Sequence, residues 1–83
     1  MDWRYSMLGI WHIGTMCGVD KGRTASIEVH GSGEASTGGF CMLNRFPKIG
    51  DKTLGHWSID QLYCDSLEKA KTIGRHWVEN GIL

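Results

Sequence analysis

The chain has 83 residues and a mass of 9.3 kDa, the size of one domain spanning residues 1–83. Nine basic and nine acidic residues cancel, 41% of residues are hydrophobic and 22% are charged. That balance excludes a disordered chain and gives no global field to draw in nucleic acid. No apolar run approaches the roughly 18 residues a membrane-spanning helix needs.

Area scaling at this size leaves roughly 5,000 Å² exposed out of roughly 13,500 Å² unfolded, so roughly 63% can be buried. One thin core fits, with little room for a deep cleft. The four tryptophans are the one unusual count. The near-zero charge leaves little repulsion between copies, which is compatible with self-association.

Residues 3–16 read as a strand. Trp3, Tyr5, Met7, Trp11 and Ile13 fall on one parity, and Arg4, Ser6, Leu8, Ile10 and His12 on the other. Gly9 and Gly14 mark bulges or close approaches within it. The run Met7–Ile13 lacks a small-residue cleavage site and is expected to be mature structure, not a signal peptide. Asp20-Lys21-Gly22 suits a short hairpin loop.

Residues 23–30 give the clearest alternation, with Ala25, Ile27 and Val29 against Thr24, Ser26, Glu28 and His30. Gly31 to Gly39 is a flexible connection or a weak hairpin. Phe40 to Leu43 is a short apolar strand, Asn44 to Gly55 a long loop, and His56 to Cys64 alternates again.

A helix follows. Asp65 is placed as its N-cap, with Glu68 completing a capping box. Leu67, Ala70, Ile73, Gly74, Trp77 and Val78 form one face at helical spacing. Asn80-Gly81 ends it, and Ile82 is expected to pack back on Trp77. The fold class is therefore α+β: three to four antiparallel strands in a meander against one C-terminal helix, in two layers. One helix covers one sheet face, so the other face is either wet or an interface.

Motifs for chemistry are missing. His12, Cys17, His30, Cys41, His56, Cys64 and His76 are possible metal ligands, but no pair has C-x-x-C or H-x-x-x-H spacing. No nucleophile elbow or acid–base carboxylate pair stands out. The glycine cluster lacks the Gly-Lys-Ser/Thr of a phosphate loop. Neither catalytic residues, a metal nor a cofactor is expected, and the chain is read as not an enzyme. Three cysteines at long spacings, Cys17, Cys41 and Cys64, suit a reducing, cytoplasmic setting better than a disulfide scaffold.

The segment 44–57 holds Arg45, Phe46, Lys48, Lys52, His56 and Trp57, with Asp51 its one acid. Arginine and aromatics together anchor protein interfaces and also serve single-stranded nucleic acid. The plainer alternative is that Phe46 and Trp57 plug the core under solvated charges. On the helix, Lys69, Lys71, Arg75 and His76 lie off the apolar stripe, as a solvated face or as part of a basic patch. Trp57 and Trp77 are expected in the core. Trp3 and Trp11 either join them or sit at an interface.

The strand segment Trp57-Ser58-Ile59, then Ser66-Leu67-Glu68-Lys69-Ala70-Lys71 and Trp77, resembles short accessory proteins of bacteriophages and prophages over residues 56–80. The resemblance implies a binding factor, of accessory or anti-defence type, and carries no site residues. The expected function is non-enzymatic protein binding by surface occlusion. Arg45, Phe46, Lys48 and Lys52 would anchor the partner, with Trp11 or Trp3 contributing if the open sheet face is used. A nucleic-acid-binding protein using segment 44–57 and the basic helix face, and a structural homodimer, are the alternatives. No membrane partner is expected.

Overall fold

Alternating residues build the sheet. In the computed structural model, which describes residues 2–6, 9–14, 22–48 and 60–81, five strands run in chain order. They are β1 (Arg4–Tyr5), β2 (Ile10–Ile13), β3 (Thr24–His30), β4 (Phe40–Phe46) and β5 (Asp60–Cys64). Each pairs antiparallel with the next, giving a meander. One helix, α1 (Leu67–Asn80), follows. This is the expected two-layer α+β arrangement, with five strands where three to four were expected.

The extra strand comes from the N-terminal segment, which is a hairpin and not one strand. Ser6 closes it: its N–H donates to the Ile10 carbonyl at 2.8 Å and its Oγ accepts from the Ile10 N–H at 3.3 Å. Gly9 takes a φ of 79°, the left-handed turn geometry a side chain would strain. Tyr5 pairs with Trp11, so the two odd-numbered runs still share a face after the chain reverses. The parity reading therefore survives a turn it did not foresee.

The longest pairing joins β3 to β4 over seven residues, from Thr24 opposite Phe46 to His30 opposite Phe40. Strand β4 thus runs three residues beyond the expected Leu43, taking in Asn44, Arg45 and Phe46. Between these strands, Gly31 to Gly39 narrows to a single 3-10 turn, Ala35–Thr37.

Residues opposite one another in an antiparallel pair share a face. Ile13, Ala25, Ile27, Cys41, Leu43 and Cys64 lie on the face that meets α1, where Ala70, Trp77 and Val78 complete the core. Trp77 is fully buried, and its indole N–H donates to the Phe46 carbonyl at 3.1 Å. Leu67 and Ile73 pack at the margin, so the predicted helix stripe is the observed one.

Gly74 lets the helix approach closely. A Cβ there would lie 2.8 Å from the Trp3 ring and 3.1 Å from Leu43 Cδ1. Trp3 and Trp11 are half-buried and pack against the core from the N-terminal hairpin.

The helix start shifts by one residue. Ser66, not Asp65, is the N-cap, its Oγ accepting from the Lys69 N–H at 3.1 Å. At the other end Gly81 adopts a left-handed φ of 70° and its N–H reaches the His76 and Trp77 carbonyls. The expected hairpin loop at Asp20–Gly22, the strand start at His56–Ile59, Trp57 itself and the Ile82 contact lie wholly or mostly outside the described residues.

Leu43 is fully buried between β3, β5 and α1. Leu43→Ala is expected to lower unfolding free energy by about 2–5 kcal/mol. Urea denaturation checks it, as a lower midpoint with an unchanged slope.

Candidate binding face

The expected anchors do not form one surface. Arg45 lies on β4 facing the helix side, with only 5% of its surface exposed. Its guanidinium is bound to the Asp60 carboxylate across the β4–β5 pair, Nε to Oδ2 at 2.6 Å with Nη2 on the same oxygen. It is an internal ion pair, not a surface anchor. The correction has a physical cause: a buried cation needs a partner, and Asp60 supplies it from 15 residues away.

Phe46 ends β4 half-buried on the opposite face, level with Thr24. Lys48 is exposed just beyond. Lys52 lies outside the described residues, as do His56 and Cys17. Trp11 faces α1, with the Lys71 ammonium 3.6 Å above its ring and Tyr5 edge-on at 4.9 Å.

The helix cations are likewise engaged. Lys69 lies 3.8 Å from Asp65. Arg75 bridges Asp2 at 3.2 Å and Glu79 at 3.5 Å. The Trp3 N–H, with Arg75 beside it, holds the exposed Asp2 carboxyl below its usual range. A groove of about 460 Å³ runs between this N-terminal arm and α1, lined by Trp3, Trp11, Lys71 and Arg75 among others. Its cations already face acids or an aromatic ring, so little positive charge is left to bind phosphate.

The face away from α1 carries the remaining polar and aromatic side chains of the sheet. Register places Arg4, His12, Ser26, Asn44 and Gln61 in one row across it. Asn44 is the hub. Its amide donates to Ser26 Oγ at 3.4 Å and to Glu28 Oε2 at 3.0 Å, while its Oδ1 accepts from Gln61 at 2.9 Å. Asn44 is 6% exposed, so this polar net is fixed and its hydrogen bonds are spent internally.

Beside the net stand three aromatic rings on three adjacent strands. His30 and Phe40 stack with centroids 4.5 Å apart and planes 6° off parallel. Phe40 meets Tyr63 at 4.9 Å with planes tilted by 44°. Tyr63 is 69% exposed and His30 is also open to solvent. Met42, paired with Tyr63 and Glu28, extends the strip. Among the described residues no element covers this face.

The sequence carries the signal for His30 and Phe40 in the even parity of residues 24–30 and 40–46, and for Tyr63 in the odd parity of β5. Among the described residues there is no group of three or more His, Cys, Asp or Glu able to hold a metal ion, and no helix long and apolar enough to cross a membrane. Comparisons with protein-family models, curated proteins and solved structures give no match for this chain.

The Arg45–Asp60 pair should behave as a unit. Asp60→Ala leaves a buried guanidinium without its counter-charge. The expected cost is roughly 2–3 kcal/mol, below that of a fully buried pair because the Asp60 side chain is 32% exposed. Adding Arg45→Met should recover most of it. A double-mutant cycle in urea distinguishes this coupling from additive losses.

Proposed function

We propose that this chain is a non-enzymatic binding module that docks a protein partner on its open sheet face and acts by occluding the surface it covers. The carrying observation is the solvent-facing strip of His30, Phe40 and Tyr63, stacked in sequence across β3, β4 and β5. Exposed aromatic area held rigid on a sheet costs little conformational entropy on binding, and tyrosine is enriched among interface anchors. The internally satisfied net around Asn44 lies beside it as a polar surround. This moves the anchor from Arg45, Phe46, Lys48 and Lys52 to the strip. Of the earlier set, Phe46 shares the strip's face and Lys48 follows it in the chain.

A protein partner fits this face better than nucleic acid does. Glu28 sits within it, and the helix cations beyond it are paired. Arg4, the cation in the row beside the strip, already donates to the Gly14 carbonyl at 2.6 Å, and stacking rings with so few phosphate-neutralising charges give weak hold on a polyanion. The resemblance to phage and prophage accessory proteins supports the occlusion reading and a host or defence protein as the target.

The test uses photo-crosslinking from position 63 in bacterial lysate, with position 69 on the outer helix face as control. A discrete protein adduct is expected from position 63 only. Tyr63→Ser with Phe40→Ser should weaken the isolated pair by about 2 kcal/mol, or roughly 30-fold, with folding unchanged. Equal capture by this variant would overturn the assignment. Steeply salt-dependent oligonucleotide binding would favour nucleic acid. A dimer in sedimentation that the same variant dissociates would give the face to a second copy.

A further inference from the structure

Two of the three cysteines meet inside the fold. Cys41 on β4 and Cys64 on β5 are direct register partners, and both are free. Their side chains point to the same, helix-facing side, with 0% and 2% of their surfaces exposed. Opposed residues of an antiparallel pair have Cα atoms about 4.5 or about 5.5 Å apart, and a disulfide accepts about 4.4–6.8 Å. The Cα spacing of such a register pair therefore falls within the range a disulfide accepts. We propose that Cys41 and Cys64 form a reversible intrachain disulfide under oxidising conditions, a clip tying β5 to β4. The clip is independent of the binding reading above.

One small lid governs access to the pair. The Cys41 thiol donates to the Gly33 carbonyl at 3.4 Å. The Ala35 N–H donates to the carbonyl of Asp65, the residue after Cys64, at 2.9 Å. The turn of residues 31–39 thus touches one cysteine and is pinned beside the other. Ser32 braces it. Its Oγ accepts from Thr37 Oγ1 at 2.6 Å and from the Glu34 N–H at 3.3 Å. These bonds are exposed, so the lid opens locally at far less cost than global unfolding.

Burial pushes both thiols up and keeps them protonated while the lid is shut. At Cys64 the positive charges of Lys69 and Arg45 oppose that rise, whereas the neighbouring thiol and Glu34 add to it at Cys41. The neighbouring Asp65 carboxylate adds to the rise at Cys64, so either sulfur can attack once the lid opens. With hydrogen peroxide as oxidant and Cys64 attacking, its thiolate takes one oxygen to become a sulfenic acid and releases the other as water. Cys41 sulfur then displaces the second water and forms the S–S bond. Two thiols lose two electrons and two protons, and one peroxide becomes two waters. Opposed Cβ atoms across a ladder sit about 4.5–5.5 Å apart, wider than the roughly 3.8 Å a relaxed bridge prefers. The strand pair must narrow, which makes the bond a labile one.

The experiment oxidises folded Cys17→Ser protein with peroxide, alkylates it, and maps peptides by mass spectrometry. The expected product is a monomer with Cys41 and Cys64 linked, both protected from alkylation and freed by mild thiol. Ser32→Ala, which unbraces the lid, should speed the reaction roughly fivefold. If Cys17→Ser does not fold, mapping the oxidised wild type gives the same answer. Two alkylatable thiols after oxidation, separate sulfinic acids, or links only between copies would each overturn the proposal. So would an unchanged rate in Ser32→Ala.

Discussion

The seven-residue register between β3 and β4 is the constraint on which the rest depends. Side chains alternate across a strand, so a slip of one residue would move every one of them to the other face. Held as it is, the register sets Ala25, Ile27, Cys41 and Leu43 against α1. The same register leaves Glu28, His30, Phe40, Met42 and Asn44 on the far side. Core and open candidate face are two consequences of one alignment. The hairpin is reinforced from both sides: Asn44 locks to Ser26 and Glu28 above, and Leu43 is sealed under the helix below.

The second layer follows from that alignment. Trp77 is the largest fully buried side chain, and its one polar atom finds the carbonyl of Phe46, the last residue of β4. A buried indole without such an acceptor would forfeit a hydrogen bond. The helix can therefore settle only where the end of β4 lies beneath its final turns. Gly74 then admits Trp3 close to the helix axis, which draws the N-terminal hairpin onto the flank of the core. The tryptophan surplus is thereby accounted for among the described residues. Trp77 fills the core, and Trp3 and Trp11 close its side, so large rings supply the volume that a thin sheet-and-helix sandwich lacks.

Much of this was legible from alternation and helical spacing alone. The clear strand, the helix with its Gly81 ending, and the two-layer plan depend on local pattern, which a sequence displays directly. The differences arise where a distant residue decides. Asn44-Arg45-Phe46 looks like loop because an arginine in a strand's inward position is costly; Asp60 offsets part of that cost through Nε and Nη2, while the buried Nη1 has no hydrogen-bond partner, and nothing near residue 45 announces the pair. Asp65 and Ser66 are both competent caps, and two further contacts accompany the choice. Asp65 gives its carbonyl to Ala35 and its carboxylate to Lys69, while Ser66 turns toward the helix. The candidate face was hidden for a related reason. A stack of His30, Phe40 and Tyr63 spans three strands, and only the register brings residues 30, 40 and 63 together.

Charge leads to the last step. Zero net charge has been a property of the composition, but the structure shows how it is spent. Arg45, Lys69 and Arg75 each face a carboxylate, and Lys71 faces Trp11. Among the described residues these four pairings flatten the potential around the helix and the β4–β5 pair, where composition alone says nothing. With zero formal net charge, the proposed docking would gain little from long-range electrostatic steering, and its association rate would fall near the unsteered range of about 10⁵–10⁶ per molar per second. Under the proposed reading, tight binding would have to come from slow dissociation, which rigid aromatic anchors favour. The strip on the open face has that character: its rings are ordered against one another before any partner arrives, so little freedom is left to lose on docking.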